Sequence, residues 1–179
     1  NSNAGGSSIS GATSSSYTPS AASAATSYYY CVVTGACGTA TSNAVSQVID
    51  ADPSISSQPS SGSDVCVGGS PSAMSVTAAG GSASYTYQWQ SASSSGGSFS
   101  AISGATNSSY TPDASSAGTT YYQVVVSDAQ GGCDAVTSSE VSQTVDADLS
   151  ISSQPSSGAD VCVGGTVTQM SVTAAGGSG

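Results

Sequence analysis

The sequence predicts an all-β protein made of tandem antiparallel β-sandwich domains, each about 96 residues long. Three observations carry that expectation. Val, Tyr and Ile fall in short alternating runs, the period-two pattern of half-buried strands. Gly- and Pro-containing turn signals separate those runs at sandwich-like spacing. Most tellingly, the sequence repeats itself. ISGATSSSYTP at Ile9–Pro19 returns as ISGATNSSYTP at Ile102–Pro112, an offset of 93 residues. SISSQPSSGSDVCVGG at Ser54–Gly69 returns as SISSQPSSGADVCVGG at Ser150–Gly165, and MSVTAAGG at Met74–Gly81 returns at Met170–Gly177, both offset by 96. Three residues inserted in the SDAQGG turn of the second copy account for the difference, and a hairpin turn absorbs insertion easily. A unit of this length matches one sandwich of roughly 100 residues and exceeds the short solenoid repeats.

On this basis residues 1–50 are the C-terminal half of one domain, 51–147 a complete domain, and 148–179 the start of a third. Within the complete domain, a first strand over Ile55–Gln58 ends at Pro59, since Pro cannot donate to a ladder. Asp64–Val67 leads through Gly68-Gly69 into a strand where Met74, Val76 and Ala78 alternate. The next strand places Tyr85, Tyr87 and Trp89 on one face, expected to be the core face rather than a sugar-stacking platform. Short strands follow near Phe99–Ile102 and Ser109–Thr111. Tyr121–Val126 forms a long strand, and Gly131-Gly132 turns it into a last one reaching about Val145.

Composition removes several function classes. The 179 residues include no Lys, Arg or His, against nine Asp and one Glu, for a formal charge of −10. Nucleic-acid binding needs cations to neutralise phosphates, and anionic lipid surfaces need them too. Chemistry that relies on His as a base, Lys as an amine nucleophile or Arg as a clamp is excluded. The 45 Ser residues therefore have no His or Lys to activate one of them. Asp113, Asp128 and Asp134 fall in turns, and nothing sets them across a cleft as a glycosidase requires. No apolar run approaches the ~20 residues of a membrane helix, so no membrane insertion is expected. Ser, Thr, Gly and Ala make up 109 of the 179 residues, so any core is thin and built from Val, Tyr, Ile, Met and Ala.

At the level of motifs, Val65-x-x-Gly68, the alternating strand after it, Trp89 and Tyr122-x-Val124 resemble the core signature of the immunoglobulin fold. The resemblance gives Tyr122 the tyrosine-corner place. It puts Ala78 and Val124 where that fold's inter-sheet cysteines stand, so the disulfide between those two strands is missing here. Cys31 occupies the place of Val124 in the first copy. More closely, the blocks Tyr87–Gln90, Ile102–Thr106, Tyr110–Pro112 and Tyr29–Val45 resemble the immunoglobulin-like repeats of giant surface adhesins in gliding bacteria. Such a resemblance implies rod-like tandem repeats, export by type IX secretion and a role as spacer, with ligand binding elsewhere.

The repeat also orders the cysteines. Each unit has one Cys in its VCVGG segment (Cys66, Cys162) and one near the turn after its long strand (Cys37, Cys133). The complete unit thus offers one pair, and a Cys66–Cys133 disulfide is expected. Cys37 and Cys162 would have partners beyond the sequence, while Cys31 could pair with such a partner or with Cys37. No C-x-x-C redox pair and no four-ligand zinc set exist. Both junctions read Asp-Ala-Asp: Asp50-Ala51-Asp52 and Asp146-Ala147-Asp148, each followed by Asp64 or Asp160. Calcium favours several carboxylate and carbonyl oxygens, so these six aspartates are candidate ligands of a junction-stiffening ion. The plainer alternative is that they face water and keep the surface soluble, leaving no cofactor. Asn107-Ser108-Ser109 fits the N-glycosylation pattern.

The function expected is a non-catalytic structural stalk of an extracellular, cell-surface adhesin or filament, involved in cell adhesion and gliding motility. Its partners are then other repeats of the same chain, together with surface glycans or neighbouring filaments. The alternatives are a carbohydrate-binding module using exposed tyrosines, or an accessory region of a large secreted enzyme. Strand exchange between copies is disfavoured, because neither end supplies the equivalents of 84–93, which carry Trp89.

Overall fold

The computed structural model describes residues 6–177. Its first segment contains β1 (Ala25–Tyr29), β2 (Val32–Gly35), β3 (Gly38–Thr41) and β4 (Val45–Ile49). β1 pairs antiparallel with β4 from Ala25↔Ile49 to Tyr29↔Val45, and β2 with β3 as a hairpin. Cys31 and Ser42 bridge the two ladders. The Cys31 N–H donates to Ser42 Oγ (2.9 Å), and the Ser42 N–H donates to the Cys31 carbonyl (2.9 Å).

Residues 51–147 hold the principal core. The strands are β5 (Ser54–Ser57), β6 (Val65–Cys66), β7 (Met74–Ser75), β8 (Thr77–Ala79), β9 (Tyr85–Ala92), β10 (Ser100–Ala101), β11 (Ser109–Tyr110), β12 (Gly118–Asp128), β13 (Val136–Thr137) and β14 (Val141–Asp146). One layer runs β10-β9-β12-β14-β6, with β13 also on β12. Every pairing in it is antiparallel except β14 with β6, which is parallel. The opposite layer is built around the Met74–Ala79 run. Its first part, β7, pairs with β11, and its second part, β8, pairs with β5. The run changes partner at Val76, whose N–H donates to the Ser108 carbonyl (2.9 Å). Two facing layers in this order form an immunoglobulin-like sandwich.

Alternation explains which side chains fill it. Along β12, Tyr122, Val124, Val126 and Asp128 are buried while their neighbours are half-exposed. Along β14 the buried set is Val141, Gln143 and Val145. These side chains project to one face because successive residues of a strand point to opposite sides. Tyr122, Val124, Val126 and Val141 meet Met74 and Val76 of the opposite layer and Trp89 of β9. Trp89, Val124 and Val126 are each 0% exposed. Burying a large apolar side chain contributes roughly 1.5–3 kcal/mol, which matters in a chain with a single Leu. Trp89 keeps its polar atom satisfied by donating Nε1–H to the Asn107 carbonyl (3.0 Å). Tyr85 and Tyr87 pack half-buried beside it, with ring centroids 6.5 Å apart, so the expected core face is the observed one.

The last segment contains β15 (Ser150–Ser153) and β16 (Thr173–Ala175). Their register, Ser150↔Ala175 with a shift after Ile151, reproduces Ser54↔Ala79 with a shift after Ile55. Likewise Ala25↔Ile49 corresponds to Gly118↔Val145. The Tyr17–Tyr29 and Tyr110–Tyr122 ring pairs are both 5.6 Å apart.

Candidate functional site at the domain ends

β12 runs the length of the sandwich from Gly118 at one end to Asp128 at the other. The end at Asp128 joins three pieces of chain: the junction Ala51–Pro53, the corner Gly80–Ser84 and the turn Asp128–Asp134. Asp128 is buried and acts as the knot. Its Oδ2 accepts the Ser82 N–H (2.5 Å), and its Oδ1 accepts the Ser82 hydroxyl (2.9 Å) and the Gln130 N–H (2.8 Å). These donors, the Ser82 N–H foremost, hold its carboxyl below the usual carboxylate range, while burial pushes the other way. Gly81 is required beside it: its φ is +58°, and a Cβ there would strike the Asp128 carboxylate.

The junction is tied to both flanking pieces. The Ala51 carbonyl accepts the Gly81 N–H (3.0 Å) and the Cys133 thiol (3.7 Å), and Asp52 Oδ1 accepts the Asp134 N–H (3.0 Å). Tyr85 Oη donates to the Gly80 carbonyl (2.6 Å). Burial raises the Cys133 thiol above its ordinary range, and Asp128, Asp52, Asp50 and Asp134 raise it further. At the next junction the Gly177 N–H donates to the Ala147 carbonyl (2.6 Å), the same contact displaced by one repeat.

The opposite end carries β6. Val65 lies beside Val145 and Cys66 beside Asp146, and the Val67 N–H donates to the Asp146 carbonyl (3.0 Å). The Gly68 N–H donates to the Ala114 carbonyl (2.9 Å).

This placement corrects the expected disulfide. Cys66 stands at the Gly118 end and Cys133 beyond the Asp128 end, separated by the eleven residues of β12, a span of roughly 33 Å. A bridge needs Cα atoms within about 7 Å. No two of the five cysteines are bridged to each other. The expectation failed because pairing by elimination ignores which end a parallel edge strand occupies.

The six aspartates divide in the same way. Asp50 and Asp52 lead into the Asp128 end, whereas Asp64 and Asp146 lie beside β6 and β14 at the other. Asp148 and Asp160 are exposed, Asp160 in the irregular stretch between β15 and β16. Asp64 therefore does not join Asp50 and Asp52. Among the described residues, no three carboxylates or cysteines converge as a metal site.

Other carboxylates serve turns. Asp113 Oδ1 accepts the Ser115 N–H (3.0 Å) and its Oδ2 the Ser115 hydroxyl (2.5 Å). Glu140 Oε1 accepts the Ser95 hydroxyl (2.7 Å) and Oε2 the Gly96 N–H (2.9 Å), which fastens the Ser/Gly-rich loop to the start of β14. A concavity of about 1010 Å³ lies on the first segment and is lined by Tyr17, Tyr29 and Val45 among others. In residues 51–147 the space behind the equivalent pair Tyr110 and Tyr122 is filled by Met74, Val76 and Trp89. The Asp128 knot escaped the sequence reading. Its signal was a turn aspartate two residues before Gln130 and far from Ser82, and only the fold brings those together.

Residues 56–147, just over half of the chain, match the family described as "Domain of unknown function (DUF8696)". No curated protein matches the chain in sequence. Among solved structures it is similar to "Sidekick-1 immunoglobulin domains 1-5", with 13% identity and a TM-score of 0.45. That match covers 88% of this chain and 34% of the other, so the chain spans about a third of that structure's length.

Proposed function

Because this chain belongs to the DUF8696 family, a domain of unknown function, we propose its role from its own geometry: a non-catalytic stalk segment of an extracellular surface adhesin or filament. Immunoglobulin-like sandwiches of about 96 residues follow one another in it as a rod. The observation that carries the reading is the junction. Ala51 and Asp52 are held by backbone and side-chain hydrogen bonds from the corner and from the long turn of the domain they enter. A linker tied in this way sets the direction of the domain that precedes it. Free linkers, by contrast, leave neighbouring domains to swing.

The side chains support a spacer rather than a catalyst. The carboxylates of Asp113, Asp128 and Glu140 are engaged in fastening turns. Trp89 is fully buried, so it presents no platform to a sugar. The resemblance to gliding-bacterial adhesin repeats supports a surface location reached by type IX secretion. Neighbouring repeats of the same chain are then the first partners, and the adhesive ligand belongs to another part of the molecule.

Stretching four head-to-tail copies of residues 51–147 between their ends tests the proposal. Each unfolding step should lengthen the molecule by roughly 300 Å, the extended length of one repeat less its folded length. A single step, or irregular ones, would refute serial sandwiches.

A further inference from the structure

We propose that successive repeats are stapled together by disulfides, each joining the VCVGG cysteine of one repeat to the long-turn cysteine of the next. This rests on the tandem-repeat reading above. Within residues 51–147 the two cysteines occupy opposite ends, and each stands at a junction. Cys133 Sγ lies 3.7 Å from the carbonyl of Ala51. Cys66 lies directly beside Asp146 in the β6–β14 ladder, where neighbouring strands are about 4.8 Å apart.

The junctions repeat, so the two observations can be superposed. Ala147 is the counterpart of Ala51, and its carbonyl already accepts Gly177 N–H as Ala51 accepts Gly81 N–H. The long-turn cysteine of the third repeat therefore belongs beside Ala147, the residue after Asp146. Two sulfurs from two repeats flank one dipeptide, Asp146-Ala147. The proposed bridge would close the remaining gap with its Cα atoms about 4.4–6.8 Å apart, the range a disulfide spans. Val65 and Val67 turn inward while Cys66 is exposed, which frees its sulfur for a neighbour.

The scheme accounts for the remaining thiols. Cys37 corresponds to Cys133, and Cys162 to Cys66, so each stands at a position where the scheme places a stapling cysteine. Cys31 stands outside the scheme, at the place of Val124.

Closure requires a disulfide oxidant such as oxidised glutathione. One cysteine thiolate attacks it, displacing one thiol and forming a mixed disulfide. The second cysteine then attacks that mixed disulfide and displaces the other thiol. Two protein thiols are oxidised to one disulfide, and the oxidant is reduced to two thiols.

The test is the 179-residue chain followed by a second copy of 84–147, which completes the third repeat. The added copy carries Ala135→Ser as a mass label. After equilibration with oxidised and reduced glutathione, alkylatable cysteines should fall from six, the five present plus the added one, to four. Non-reducing peptide mapping should join Cys66 to the added cysteine. A Cys66–Cys133 link, or a free Cys66 in a chain whose third repeat unfolds cooperatively, overturns the staple and leaves the stalk reading standing. Failure of the completed repeat to unfold cooperatively overturns the tandem reading and the staple with it.

Discussion

Ser138 completes the backbone pairing of Val124 at the centre of the sandwich. The Val124 N–H donates to Ser138 Oγ (3.0 Å), and the Ser138 N–H donates to the Val124 carbonyl (2.9 Å). The hydroxyl takes the place of a ladder carbonyl where the chain passes between β13 and β14. Cys31 and Ser42 repeat the device in the first segment. Val124 is fully buried, so Ser138→Ala leaves an N–H without a partner. The expected cost is about 1–3 kcal/mol by urea denaturation. A loss below ~0.5 kcal/mol would mean that water reaches that N–H.

Gly62 is held against Gln143. Its N–H donates to the Ser142 carbonyl (3.0 Å), and a Cβ at Gly62 would overlap Gln143 Oε1. Gly62→Ala should therefore destabilise by about 1–3 kcal/mol through overpacking. Gln143→Ala removes the obstacle, so the double variant should cost less than the sum of the single ones. Strict additivity would show that the two side chains do not compete for the same space.

Asp128 gives the domain an acid-sensitive end. Its carboxyl lies below the ordinary range because Ser82 and Gln130 donate to the ionised form. A depressed folded-state pKa contributes stability that is present above the unfolded value, about 3.9, and is lost as pH falls through the folded value. Thermal stability should thus decline below about pH 4. Asp128→Asn should melt lower at neutral pH and lose less on acidification than the parent. Parallel pH curves for the two proteins would contradict this.

Cys133 should be a slow nucleophile. Burial and the ring of Asp128, Asp52, Asp50 and Asp134 raise its thiol, and only the thiolate reacts. Alkylation by iodoacetamide at pH 8 should run several-fold slower than for the same cysteine in urea. Asp50→Asn removes one charge without touching a hydrogen bond of the junction and should quicken it. An unchanged rate would point to access rather than charge as the control.

Ala83 adopts φ +61° in the Gly80–Ser84 corner, where L-residues other than Gly are disfavoured by about 1–2 kcal/mol. The aligned sequence position 179 is Gly. Ala83→Gly should be neutral or stabilising by up to ~1 kcal/mol in calorimetry, unlike Gly elsewhere in the fold. Destabilisation would mean the Ala83 methyl has packing value.

Much of the fold was legible because period-two alternation reports burial directly. Trp89 and Met74 were placed correctly on that ground, whereas the places of Tyr122 and Val124 came from the resemblance to the immunoglobulin core signature. Strand direction was not legible, since nothing in Val65-Cys66 distinguishes a parallel from an antiparallel neighbour. That gap misplaced Cys66 relative to Cys133 and Asp64 relative to Asp52. Ser138 and Ser42 were visible only as members of a Ser-rich background; their signal was recurrence after the same hairpin.

The parallel pairing of β6 with β14 has a mechanical meaning. The segment around β6 enters near the start of the domain, and β14 leaves at its end. Pulling residues 51 and 147 apart drags these strands past each other lengthwise. The bonds between them then lie across the load and share it: Gly62 to Ser142, Gln143 to Ser63, Ser142 to Ser61 and Val67 to Asp146. Contacts loaded in shear rupture together, whereas those of a hairpin peeled from its end open one at a time. A domain with few large apolar side chains can therefore resist tension beyond what its modest core suggests.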